Sequence, residues 1–299
     1  MANHSYPRMN AVRLQGIVFC AVAVITVGFS VLLAPMNPRH ELVLVALLVV
    51  LLGVPHGALD PIFAQSLQRI QGRARWIGFV VLYLLLAALA VALWWLMPTL
   101  FLIGFLLLSV LHFSGDPAPG AGFAARLLYG IAVIALPAAL HATELFRLFS
   151  MLVGSPAALH VTAGLQLIAW PSVLALALLV LRDARRDRLA ALEMAAVGLL
   201  ALMATPLLGF AVFFCGMHSA RHILRTQKYA SVTPQRLFLV AVTPMLAVLA
   251  MAGAGWALLP DSPPDERLLQ FVFVALAALT VPHMLLVERV RFTGWKHSV

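Results

Sequence analysis

The chain has 299 residues, of which 63% are hydrophobic and only 10% are charged, and its formal net charge is +9. Soluble domains carry about 25% charged residues, so this composition excludes an ordinary soluble protein. The positive charge alone would suggest a nucleic-acid partner. In so apolar a chain, however, Lys and Arg mark cytoplasmic loops and touch anionic lipid headgroups. We therefore expect the lipid bilayer as a partner, and no nucleic acid.

Apolar runs of about 20 residues recur along the chain, which is typical of membrane-spanning helices. The first run is too long for the apolar part of a signal peptide. No linker or low-complexity segment separates the runs, so we predict a single integral membrane domain over residues 1–299, an all-α polytopic helical bundle. The ten predicted transmembrane helices are 14–35, 41–63, 76–97, 99–115, 123–142, 157–181, 189–204, 206–222, 237–259 and 268–288.

The distribution of basic residues supports this map. With the N-terminus inside, all of the 20 Lys and Arg residues except Arg39, Arg147 and Arg267 fall on the cytoplasmic side, as the positive-inside rule requires. This asymmetry favours an even number of spans, with the N- and C-termini cytoplasmic, in a multi-pass protein of the cell inner (plasma) membrane. Residues 143–156 could form a short interfacial helix. No lysine lies in a predicted span, which excludes a retinal pump with a Schiff base.

Ten histidines occur in the chain, and five of them are predicted to lie in the cytoplasmic halves of their spans. At 1.5 Å per residue most of these five lie within roughly 10 Å of the inner interface, although their spans run in opposite directions. Ionisable side chains in lipid are costly and usually functional. We therefore interpret these five as one site: His56, His112, His218, His222 and His283.

Three of these histidines have a polar partner four residues further along the chain. Residues i and i+4 share a face of a helix. Two imidazoles at that spacing can bind one metal ion, and a carboxylate there could hold an imidazole N–H and leave the other ring nitrogen as a ligand. The sequence therefore predicts a metal site built around His56 with Asp60, His112 with Asp116, and His218 with His222.

The ligand types narrow the chemistry without fixing the metal. An all-imidazole set suits zinc, copper, iron or nickel, and no cysteine or methionine motif argues for copper. Four neutral imidazoles around Fe(II) would leave two octahedral positions open, which is enough for O2. Hydrolysis would need a base beside a metal-bound water, and Asp60 is the only good candidate. A site so poor in acids and bases favours an apolar substrate whose chemistry needs oxygen.

Four motifs resemble those of the Brp/Blh family, the bacteriorhodopsin-related membrane proteins that act as β-carotene 15,15′-dioxygenases. They are VPHGALD at 54–60, LHF followed by an aspartate at 111–116, FCGMHSARH at 214–222 and LAALTVPHMLLVE at 276–288. The resemblance implies a non-haem Fe(II)-dependent dioxygenase. Such an enzyme cleaves the central 15,15′ double bond of β-carotene, or of a related carotenoid, with O2 to give two molecules of all-trans-retinal.

The resemblance also assigns roles to individual residues. The four catalytic iron ligands of the family correspond to His56, His112, His218 and His222. Asp60, Asp116 and His283 are expected to support those ligands without binding the ion. The retinal product suggests a functional link to a retinal-binding rhodopsin. An apolar substrate tunnel is expected, and its candidate lining residues are Phe113, Phe213, Phe214, Tyr129, Trp170 and Met284.

The main alternative is a membrane metal-ion transporter with a histidine-lined site. An ion path should spread polar groups along the membrane normal, whereas the outer half of the predicted spans has almost none. A haem or quinone redox protein is a further alternative, and a bound haem would give a Soret band. A di-iron desaturase or hydroxylase would need several clustered histidine boxes, and this chain has one HxxxH pair.

Overall fold

The computed structural model describes residues 10–68, 70–117, 121–258 and 263–292. Within these ranges the chain is an all-α bundle without β-strands, which confirms the predicted fold class. In chain order the helices are α1 (Ala11–Leu32), α2 (Pro38–Leu48), α3 (Asp60–Gln68), α4 (Arg73–Leu96), α5 (Pro98–Phe113), α6 (Phe123–Ala135), α7 (Pro137–Leu140), α8 (Ala142–Val153), α9 (Ser155–Asp183), α10 (Arg188–Met203), α11 (Pro206–Val212), α12 (Ala220–Ala230), α13 (Pro234–Leu258) and α14 (Pro264–Phe292).

Eight continuous helical segments of the described chain are long and apolar enough to cross a membrane. The fourth and seventh of the ten predicted spans correspond to α5 and α10, which have 16 residues each. A helix of that length extends about 24 Å, which is short of the roughly 30 Å of a bilayer core. The predicted short helix at 143–156 is present as α8. The terminal residues 1–9 and 293–299 lie outside the described ranges, so the cytoplasmic placement of both termini stays a prediction.

The second span is helical throughout but changes its winding twice before it reaches α3. A π-helical segment, Val49–Gly53, follows α2 and leads into a 3-10 segment, Val54–Leu59. Pro55 lies in the 3-10 segment, where its ring removes one backbone donor and blocks regular α-helical hydrogen bonding. The change of winding therefore occurs immediately before His56.

A second π-helical segment, Phe213–Ser219, joins α11 to α12 and packs against the first. Its side chains satisfy carbonyl groups of the irregular part of the second span. The Ser219 hydroxyl donates to the carbonyl oxygens of Leu52 at 2.6 Å and Gly53 at 3.2 Å, and the Cys215 thiol donates to that of Leu48 at 3.3 Å. Such partners are what allow irregular backbone to persist inside a membrane bundle.

The helix that carries His222 is longer than predicted. The span predicted to end at residue 222 continues through α12 to Ala230. Arg225, which was expected to follow the end of this span, is therefore helical like Arg221, and Arg221 is only 2% exposed. Lys228 lies in the last turn of this helix and is exposed. Arg221 is tolerated inside the bundle because an acidic side chain pairs with it, as described below.

Candidate metal centre

Five elements each bring one histidine to a common point in the bundle. His56 lies in the 3-10 segment, His112 in the last turn of α5, His218 in the second π-helical segment, His222 in α12 and His283 in α14. All five side chains belong to residues that are 6% exposed or less. The centroid of the His56 ring lies 5.0 Å from that of His218, 5.5 Å from His222, 5.1 Å from His283 and 6.5 Å from His112.

The remaining ring contacts join the other histidines of the cluster to one another. The His112 ring centroid lies 4.5 Å from that of His218 and 5.2 Å from that of His283, and the His222 and His283 centroids are 5.2 Å apart. The three histidines outside the cluster in the described part of the chain differ from these five. His40 and His160 are exposed, and His141 is half-buried and hydrogen-bonds the carbonyl of Leu202.

Two buried aspartates contact histidines of the cluster, but not the histidines four residues before them. Asp60 accepts a 2.6 Å hydrogen bond from Nδ1 of His283. Asp116 lies 3.0 Å from Nδ1 of His218 through both carboxylate oxygens. The i,i+4 pairing of His56 with Asp60 and of His112 with Asp116 is therefore not observed.

Local winding explains why those two pairs do not form. His56 lies in a 3-10 segment, in which residues three apart eclipse one another, so Asp60 lies on a different face. His112 lies in the last turn of α5, and the helix ends at Phe113 before the chain reaches Asp116. The carboxylates instead reach across to other elements of the bundle.

The donor set fits a metal ion. Nδ1 of His56 donates to the carbonyl oxygen of Gly53 at 2.5 Å, and Nδ1 of His218 and of His283 each donates to a carboxylate, so each ring is left with a bare Nε2 lone pair. Nε2 of His218 and Nε2 of His283 are buried and accept no hydrogen bond. Buried nitrogen acceptors normally have a partner, and a coordinated cation would provide one. One ring nitrogen each from His56, His112 and His283 lies within 4.8 Å of the others.

Arginines of α12 hold the turn that carries Asp116. Arg225 donates to the carbonyl oxygens of Gly115 and Asp116, each at 2.9 Å, and Arg221 donates to that of Asp116 at 3.2 Å. Arg221 in turn forms a two-pronged ion pair with Glu193 of α10, at 2.6 and 2.9 Å. This network fixes the carboxylate that contacts His218.

An apolar cavity adjoins the cluster. It contains about 530 Å³ of empty space, its open mouth included, and His56, His112 and His283 lie in its wall. The hydroxyl groups of Ser109 and Thr280 also line it, but each donates to a carbonyl of its own helix at 2.7 Å. The other lining residues are Val54, Gly57, Phe105, Phe113, Phe210, Phe214, Leu276 and Leu279. The histidine rings are therefore the cavity's main polar groups.

Only part of the expected tunnel lining is observed. Phe113 and Phe214 line this cavity, whereas Phe213 lines a second cavity that shares Phe210 with the first. Tyr129 and Met284 are buried but line neither of these two cavities. Trp170 is 57% exposed on α9 and lies outside both. An aromatic residue in a spanning helix can face lipid as readily as the interior, and composition alone does not distinguish the two.

Sequence reasoning missed three residues that support the site. The Tyr83 hydroxyl donates to Asp60 at 2.8 Å, and the Arg221 and Arg225 guanidinium groups hold the Asp116 turn. Nothing in the spacing identifies Tyr83, since it lies on a different helix from Asp60. The two arginines could have been suspected, because Arg221 lies within the HSARH motif and Arg225 follows it one helical turn later.

The chain matches both a known protein family and a curated protein. Residues 47–290 match the family described as beta-carotene 15,15′-dioxygenase. A protein named beta-carotene 15,15′-dioxygenase from the uncultured marine bacterium 66A03 is 31% identical over 251 residues, which cover 81% of this chain and 90% of that protein. No solved structure matches the chain.

Proposed function

This chain belongs to the β-carotene 15,15′-dioxygenase family and is a carotenoid cleavage enzyme of the membrane, and from this premise we propose the reaction and cofactor as follows. It cleaves the central 15,15′ double bond of β-carotene, or of a related carotenoid, with O2 to give two molecules of all-trans-retinal. Fe(II) is the cofactor, and His56, His112, His218 and His222 hold it. The protein acts in the cell inner (plasma) membrane, and a retinal-binding rhodopsin would use the product.

The observation that carries this proposal is an apolar cavity with histidine rings in its wall. A carotene is a hydrocarbon and offers no polar handle, so its position must be set by the shape of an apolar site. The hydroxyls of Ser109 and Thr280 donate to carbonyl groups of their own helices, so their protons are not available to a polar ligand in the cavity. A metal-ion transporter fits this cavity less well. Few polar groups line it, so little could replace the water molecules that surround a passing ion.

The cleavage replaces one carbon–carbon double bond by two carbon–oxygen double bonds, and both atoms of O2 are used. When bound, Fe(II) supplies the redox chemistry that lets O2 react with the polyene. The protein's own residues position the histidine ligands and the substrate. The Gly53 carbonyl orients the His56 ring, and Asp116 orients the His218 ring. The aromatic wall formed by Phe113, Phe210 and Phe214 excludes water and holds the polyene beside the rings.

Expression of the chain in cells that accumulate β-carotene tests the proposal. We expect the orange colour to fade and retinal to appear in a ratio of two molecules for each β-carotene lost. Purified protein stripped of metal by a chelator should lose this activity, and Fe(II) added under air should restore it. Retinal formation that continues without O2 or after metal removal would contradict the proposed chemistry. So would the absence of any retinal from cells that hold the folded protein.

Filling the cavity should block cleavage without removing the metal. Leu279 lines the cavity from α14, and Leu279→Trp would place an indole where the polyene is expected to lie. Because displacing a substrate by about 1 Å can cost on the order of 100-fold in rate, we expect retinal formation to fall by about that factor. Bound iron should be unchanged. Leu285→Trp is the matched control, since Leu285 is 53% exposed on the same helix. Equal rates for the two variants would show that the substrate lies elsewhere.

A further inference from the structure

We propose that His283 is itself a ligand of the metal, as a fifth imidazole, and that Asp60 and Tyr83 fix its orientation. This inference rests on the proposed function, because it assumes a metal ion at the histidine cluster. The sequence alone indicated only a supporting role for His283. The geometry points to a direct one.

His283 has the same kind of surroundings as His218. In each residue Nδ1 contacts a buried aspartate, at 2.6 Å for His283 and 3.0 Å for His218. In each residue Nε2 is buried and has no hydrogen-bond partner. Both side chains are 3% exposed. A carboxylate on one ring nitrogen and a bare lone pair on the other is the common arrangement of a metal-binding histidine.

His283 also lies where a metal ligand would be expected. One ring nitrogen of His283 belongs to the group that lies within 4.8 Å of nitrogens of His56 and His112. Since Asp60 occupies Nδ1, Nε2 is the nitrogen available to a metal. The His283 ring centroid lies 5.1 to 5.2 Å from those of His56, His112 and His222, so it is as central to the cluster as the four expected ligands.

Asp60 is held so that it orients the His283 ring. The Tyr83 hydroxyl donates to Oδ2 at 2.8 Å while His283 donates to Oδ1, so both carboxylate oxygens are engaged. A histidine that only filled space would gain nothing from this arrangement, because its Nε2 would remain buried without a partner at a cost in free energy. A coordinated cation would supply the missing partner of Nε2. Five imidazoles would leave one position of an octahedral ion for O2, so the carotenoid would be held by the cavity alone.

The test uses Co(II) as a spectroscopic probe on the purified full-length protein, with no turnover required. We expect His283→Ala to weaken Co(II) binding at least about tenfold and to change the position and intensity of the Co(II) visible bands. Added imidazole should restore the wild-type spectrum, which it would not do for a residue that only packs. His141→Ala is the control, because that histidine is half-buried on another part of the bundle and bonds the Leu202 carbonyl.

The outcomes separate the two proposals. If wild-type protein binds neither Co(II) nor Fe(II), the proposed function fails and this inference fails with it. A second outcome is that the wild type binds Co(II), that His218→Ala weakens this binding, and that His283→Ala keeps the wild-type affinity and spectrum. In that case only the assignment of His283 as a fifth ligand is overturned. Should His283→Ala not fold, as judged by circular dichroism and gel filtration, the same measurement on His283→Gln decides between these outcomes.

Discussion

Replacing His218 by alanine is expected to abolish retinal formation in cells that accumulate β-carotene. His218 is 2% exposed, its Nδ1 lies 3.0 Å from Asp116, and its ring centroid lies within 5.0 Å of those of His56 and His112. Loss of groups that merely support a metal ligand costs about 10–100-fold in affinity or activity. Loss of a ligand itself should therefore reduce activity by at least about 100-fold, and the cells should remain orange.

The measurement needs a control for histidine loss and a check on folding. His160→Ala serves as the control, because His160 is exposed on α9 and its Nδ1 hydrogen-bonds the Pro156 carbonyl of its own helix. Retinal should be quantified by chromatography together with bound iron and the yield of folded protein. If His218→Ala bleaches the cells as fast as the wild type, the proposed ligand set is wrong.

Much of the fold follows from hydrophobic runs alone, because a helix is the simplest way to satisfy every backbone group in lipid. The clustering of the histidines could also be anticipated, since the position of a residue within its span gives its depth. The arrangement of the spans within the membrane plane could not be anticipated, because the depth of a residue does not determine which spans are neighbours. The pairs Asp60 with His283 and Asp116 with His218 are 223 and 102 residues apart in sequence.

The expectation that Asp60 and Asp116 bond the histidines four residues before them was wrong for a physical reason. It assumes α-helical winding, but the chain at His56 is a 3-10 segment and the chain at Asp116 has left its helix. Pro55 signals the first irregularity. The π-helical segment Phe213–Ser219 contains no proline and is stabilised by partners such as the Leu48 and Leu52 carbonyls on another span. Local sequence gives little sign of a winding that distant residues support.

Breaking the buried ion pair behind the Asp116 turn should have the largest effect on stability. The Arg221 and Glu193 side chains are only 2% and 8% exposed, and Arg221 also donates to Gln15 at 2.9 Å. Removing one partner of such a pair leaves a buried charge without compensation, which costs about 3–5 kcal/mol. We expect Arg221→Met to lower the free energy of unfolding by that amount, measured by denaturant titration of the purified protein in mixed micelles.

A double replacement distinguishes the ion pair from simple loss of packing. Replacing a whole buried pair by apolar side chains is often close to neutral, so Arg221→Met combined with Glu193→Met should recover most of the stability that the single change removes. Arg182→Met is the control, since Arg182 pairs with Asp183 at the exposed end of α9, and we expect its unfolding curve to match the wild type. A double variant as unstable as the single one would show that Arg221 stabilises the bundle through its contacts with Gln15 and the Asp116 carbonyl instead.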